Sequence, residues 1–166
     1  MTEPVTIEVA AVQGVLQRLT EFAEDLTPVM RPIAGMLAFE TRDNFRKQAS
    51  PLGVPWLQSQ RAREQGGLTL VDSGDLFGSI REAWGPDFAS AGPEASGGAA
   101  VYAAVHQWGA RIVAKVKKAL NTPFGPRGAV TIPARPYVGW NPTMIADAYE
   151  TIANAVARIG RGEAPA

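Results

Sequence analysis

The sequence contains no cysteine and a single histidine, His106. The first absence excludes disulfides and thiolate metal sites, and it fits a reducing compartment. The second leaves only carboxylates to complete a zinc site, so no metal is expected. No apolar run reaches the ~18 residues of a membrane span, and no membrane partner is expected. Met1-Thr2-Glu3-Pro4 lacks the basic and apolar regions of a signal peptide, so the protein is expected to stay where it is made. Catalytic signatures are missing as well. Ser73 follows Asp72 and precedes Gly74, which is not the glycine-flanked elbow of a serine hydrolase. No Gly-Lys-Ser/Thr follows Gly92 or Gly97-Gly98, so neither makes a phosphate loop, and Asp72 and Asp75 lack the remaining ligands of a calcium loop. No cofactor is expected.

What is present describes one folded domain. The 166 residues are 46% hydrophobic, enough to bury a core, while 17 Gly and 13 Pro imply many turns. Charges cancel overall but not locally. Through Glu94 there are 8 basic and 13 acidic residues; from Ala95 onward there are 8 and 3. No acid falls between Glu94 and Asp147, where Arg111, Lys115, Lys117, Lys118, Arg127 and Arg135 lie. Such polarity suits a subunit that meets complementary surfaces, its own copies included. A dedicated nucleic-acid binder is usually basic overall, so DNA contact through the basic loop 111–127 is the alternative reading.

Along the chain, residues 8–24 carry apolar positions at helical spacing: Val9, Val12, Leu16, Leu19 and Phe22. Thr27-Pro28 restarts a second helix to about Gln48, with Thr27 as its cap. Breakers at 50–55 end the helical region, Trp56 follows as an apolar anchor, and 58–67 reads as short helix or loop. Asp72 or Ser73 is placed to cap a short helix over Leu76 and Phe77. Gly85-Pro86 divides a hairpin-like stretch. Residues 99–103 and 129–132 read as strands, 110–128 as a long basic loop, and Asn141-Pro142 opens a final helix ended by Gly160. The fold class is α+β: a helical N-terminal arm over 1–50, a core with a small antiparallel sheet and a C-terminal helix over 51–160, and a flexible tail over 161–166.

The stretch Tyr102 to Gly109 holds the histidine, two aromatics and the glycine that opens the basic loop. With no acid or nucleophile beside it, His106 reads as a polar hinge at the end of a strand. In this reading His106 and Gln107 bond backbone or a neighbouring subunit, Trp108 anchors, and Gly109 releases the loop. A hydrolase using His106 as base ranks third. Pro133-Ala134-Arg135-Pro136 is a rigid corner, because each proline fixes its own φ and biases the residue before it. Arg135 is therefore aimed, and is expected to lock the corner to the strand near 102–107.

Three segments, taken in order, carry a resemblance. Tyr102 to Gly109, closing on His106-Gln107-Trp108-Gly109, resembles the signature of phage virion morphogenesis proteins, the tail completion proteins of contractile-tailed phages such as Mu and their prophage relatives. Ile132-Pro133-Ala134-Arg135-Pro136-Tyr137-Val138-Gly139 is similar to a second element of that family, and Leu70 to Ile80 to a third. Phe45, Pro51, Gly53 and Trp56 fit a further passage of the same family. The resemblance implies a non-enzymatic virion component that acts in tail completion and head–tail joining at the neck, assembling as a ring. Implied partners are further copies of itself, other neck, tail-tube or connector proteins, and DNA passing through the ring. Its implied location is the virion, and the host cytoplasm during assembly. The candidate interface or structural residues are Trp56, Tyr102, His106, Gln107, Trp108, Gly109, Arg135 and Pro136, with Arg111, Lys115, Lys117, Lys118 and Arg127 on the basic loop.

Overall fold

Asp25 sets where the second helix begins. Its Oδ1 accepts from the Thr27 amide at 2.9 Å, and Thr27's hydroxyl and amide hold the carboxyl below the usual carboxylate range. The capping side chain is thus Asp25, two residues ahead of the Thr27 that the sequence suggested. The computed structural model describes residues 9–96, 98–114, 119–122 and 124–165. In chain order these hold α1 (Val9–Glu24), α2 (Thr27–Lys47), α3 (Gln60–Gln65), α4 (Asp75–Gly78), β1 (Ile80–Trp84) and β2 (Ala89–Pro93). Next come α5 (Ala100–Trp108), β3 (Ala110–Val113), β4 (Ala129–Ile132) and α6 (Pro142–Gly160). Two-stranded sheets β1–β2 and β3–β4 make the fold α+β, as read from the sequence.

The residues group into two compact units. One comprises 1–36, 83–90 and 142–166. Within it α1 packs along α6, and Arg18 Nε donates to the Ile159 carbonyl at 3.4 Å. Helix α6 buries Met144, Ala155 and Ile159, and the first part of α2 buries Val29, Ile33 and Ala34. Helix α1 buries none of its own residues. Leu26 N–H donates to the Pro86 carbonyl at 2.9 Å, and the Arg31 guanidinium lies 5.4 Å over the Trp84 ring.

The second unit comprises 37–82 and 91–141 and is built around Phe45. This ring is fully buried and meets Trp56 edge-on at 5.6 Å, Phe77 edge-on at 5.7 Å and Tyr137 tilted at 5.1 Å. Such pairs each add ~1 kcal/mol to the burial of the rings themselves. Ala38, Leu76, Ile80, Ala99 and Ala103 complete the cluster. Short helix α3 is capped by Ser59, whose hydroxyl accepts from the Ala62 amide. At α4 the capping position falls to Gly74 with φ of 87°, not to Asp72 or Ser73; Ser73's hydroxyl instead donates to Asp75 Oδ2 at 2.7 Å.

Two sequence expectations are corrected here. Residues 99–103 do not form a strand; they enter helix α5. The buried pair Ala99 and Ala103 are four apart, which is helical spacing, and alanine is the strongest helix former. The basic loop also begins later than expected. Residues 110–113 form β3, antiparallel to β4 with Ala110 opposite Ile132 and Val113 opposite Ala129. Ile112 and Val113 suit a pleated surface, and that preference prevails over the charge of Arg111.

Candidate functional site

Helix α5 ends against the proline corner, and each motif residue has a defined task there. The last-turn carbonyl of His106 has no partner inside the helix; the Arg135 amide supplies it at 2.7 Å. Gln107 reaches the segment beyond the corner with both ends of its amide. Its Oε1 accepts from the Tyr137 and Val138 amides at 3.0 and 3.2 Å, and its Nε2 donates to the Val138 carbonyl at 2.8 Å. Trp56 Nε1 donates to the Pro136 carbonyl at 2.9 Å, and Asn44 Nδ2 to the Tyr137 carbonyl at 3.1 Å. Residues 135–138 belong to no helix or strand, so their backbone groups need partners from side chains. Gln107, Trp56 and Asn44 meet that need.

Gly109 explains why the signature ends in glycine. Its φ is +74°, and a Cβ there would lie 2.8 Å from the Ala134 nitrogen and 2.9 Å from the Ile132 oxygen. Only a residue without a side chain lets α5 turn this close to the corner. Tyr137, which the sequence reading left out of the candidate set, is a core member of the site. Its hydroxyl donates to the Ala103 carbonyl at 3.2 Å, and burial pushes its pKa up to about 12. Gln48 was also missed; its Oε1 accepts from the Thr69 amide at 2.6 Å, and its Nε2 donates to the Thr69 carbonyl at 3.0 Å. The signal for Tyr137 was its place in the element Ile132 to Gly139, and that for Gln48 its place at the end of the second helix.

Arg135 is buried, with 5% of its surface exposed. Its Nε donates to the Leu57 carbonyl at 2.8 Å, so the side chain ties the corner to the segment after Trp56, not to residues 102–107. Its hydrogen bond to α5 is made by the backbone amide. Burial lowers its pKa. His106 stacks edge-on against Tyr102 at 5.8 Å, four residues earlier on the helix, and not against a sheet. Burial and then the neighbouring Arg135 charge hold its imidazole below the usual histidine range. Nδ1 of that ring is buried without a hydrogen-bond partner among the described residues.

Arg135, His106 and Tyr102 share a cleft of about 520 Å³ with Arg61, Asp72, Asp75, Leu70 and Phe124. Trp108 differs from the other motif residues in being 74% exposed. Arg111 on β3 is exposed, as is Arg127, which bridges Leu120. Lys115, Lys117 and Lys118 lie outside the described residues. Gln107, Gly109, Arg135 and Trp56 thus meet at one junction, and the basic-loop residues that can be placed, Arg111 and Arg127, are exposed.

A family model described as the phage virion morphogenesis family matches residues 7–157. The chain is 32% identical over 162 residues to the G protein of Escherichia phage Mu, whose name associates it with capsid assembly, covering 92% of both chains. It is 28% identical over 141 residues to the Mu-like prophage FluMu G protein 2 of Haemophilus influenzae, covering 85% of this chain and 86% of that one. No solved structure matches the chain.

Proposed function

Since the chain belongs to the phage virion morphogenesis family, we propose that it is a non-enzymatic structural subunit of virion assembly. In this reading it acts in tail completion, joining tail to head at the neck as a ring of identical subunits. The observation that carries the proposal is the use made of the signature itself. Gln107, Trp56, Asn44 and the Arg135 amide all bond this chain's own backbone, which builds a rigid corner and leaves those groups no role in turnover. The one histidine stands beside a buried guanidinium rather than an acid, the opposite of what an orienting partner for a general base provides.

Features that a lone globular protein would bury are exposed instead. Trp108 is 74% exposed, and the α1 stripe Val9, Val12 and Leu16 is exposed by 63%, 49% and 58%. Aromatic and aliphatic side chains of this kind serve as anchors between subunits. The opposite net charges of the two sequence halves suit head-to-tail contact, which closes into a ring when the rotation per subunit closes. The name of the phage Mu relative supports an assembly role of the same general kind. Neighbours in this reading are other neck, tail-tube or connector proteins, and the site of action is the virion, reached in the host cytoplasm.

The test is a phage lacking this chain, complemented in trans. The expected result is separate heads and tails without complementation and infectious particles with it. Normal infectious titres without the chain would overturn the proposal. Light scattering of the purified protein adds a second check, with a concentration-dependent oligomer expected.

A further inference from the structure

We propose that the cleft beneath the proline corner is a carboxylate-binding site, with the Arg135 guanidinium as its receptor. Arg135 is buried at 5% exposure, and its Nε donates to the Leu57 carbonyl. Among the described residues no carboxylate pairs with it. A buried, permanently charged guanidinium with no anionic partner is costly, and a carboxylate satisfies it with charge-assisted hydrogen bonds. The Leu57 bond fixes the plane of the fork, so the receptor is already oriented. His106, in the same wall, adds a buried Nδ1 without a partner.

The lining selects the kind of anion. Arg61 and Arg135 are balanced by Asp72 and Asp75, so the cleft carries no net charge. Asp72 is 78% exposed in its side chain and faces Arg61 at 3.3 Å, which places a negative group at the rim. A polyanion such as DNA meets that carboxylate as repulsion, whereas a single carboxylate can pass it to reach Arg135. Leu70, Tyr102 and Phe124 add apolar wall for the carbon atoms that carry the group. The ligand class is therefore an acidic side chain on a polypeptide. That the polypeptide is a neighbouring assembly subunit rests on the assembly reading; the carboxylate site itself does not.

Because His106 is the only histidine, its imidazole NMR signals report on the cleft without ambiguity. The full chain is titrated with acetate, with a short capped peptide containing one glutamate, with inorganic phosphate and with duplex DNA. Saturable shifts of His106 are expected with both carboxylates, the peptide binding about tenfold more tightly than acetate, and with no comparable response to phosphate or DNA. Arg135→Lys keeps the charge but loses the fork, and should weaken the peptide about tenfold. Should that variant fail to fold, Asp72→Asn serves instead: loss of the rim charge should tighten peptide binding several-fold. Absence of a saturable shift with the carboxylates, an unchanged affinity in the folded variant, or a stronger response to phosphate or DNA would overturn the site. Equal affinity for acetate and peptide would overturn the polypeptide as ligand. None of these results bears on whether the chain is needed for joining heads to tails.

Discussion

Gln107 is the residue whose chemistry is most fully used. Three hydrogen bonds from one amide satisfy two N–H groups and a carbonyl in a segment with no ladder of its own. Gln107→Ala leaves those part-buried groups unmet and should destabilise the chain by about 2–4 kcal/mol, read as a lower urea midpoint. His106 makes a pH prediction with a definite sign. Its folded pKa is depressed, so the unfolded chain takes up the proton first as pH falls. Its contribution to stability is therefore whole above about pH 6.5 and declines below it, down to the folded value. His106→Gln should flatten the loss of stability as pH falls below about 6.5, measured by thermal melts. A variant that keeps the wild-type slope would show that other groups dominate that range. That Gln107 bonds backbone was among the sequence expectations, but which backbone it bonds was not. The partners of Gln107 are backbone groups 30 and 31 residues away, and backbone groups leave no mark in a sequence.

At the scale of elements, periodicity carried most of the fold. The stripes of α1, α2 and α6 are long enough for the 3.6-residue repeat to be plain, and the ends fall within a residue or two of expectation. The run at 99–103 was ambiguous because Val101 and Tyr102 suit a strand while the alanines suit a helix. Burial of Ala99 and Ala103 in the Phe45 cluster decides for the helix, and that cluster depends on contacts far apart in sequence. Likewise β3 was hidden inside a basic stretch, although its partner β4 was legible. The four tryptophans show the same limit: Trp56 is a core residue bonded to Pro136, and Trp108 is exposed, yet nothing in their type separates them. Gly109 was legible as a turn, but not as a close approach of α5 to the corner. Gly109→Ala must move the Ala134 and Ile132 backbone and adopt a positive φ, and should cost about 2–3 kcal/mol. A melting temperature equal to wild type would mean that the corner yields easily.

For the whole molecule, the neutral total charge and its uneven division bear on partners more than on fold. Overall neutrality predicts weak retention of duplex DNA by the purified chain in filter binding; tight retention that falls steeply with salt would favour the DNA-binding reading instead. If the basic stretch meets DNA or an acidic neighbouring ring, reversal of Lys115, Lys117 and Lys118 to glutamate should block infectious particle formation and leave the melting temperature near wild type; normal titres would remove that role. Family membership and an exposed apolar inventory both favour a subunit built to be covered by neighbours. The most direct measurement is cryo-electron microscopy of purified particles, with this chain fitted to density at the head–tail junction. The predicted result is a closed ring of copies between head and tail, each with Trp108 and the α1 stripe against another protein surface. Particles in which the chain is absent from the junction, or sits there as an isolated monomer, would contradict it.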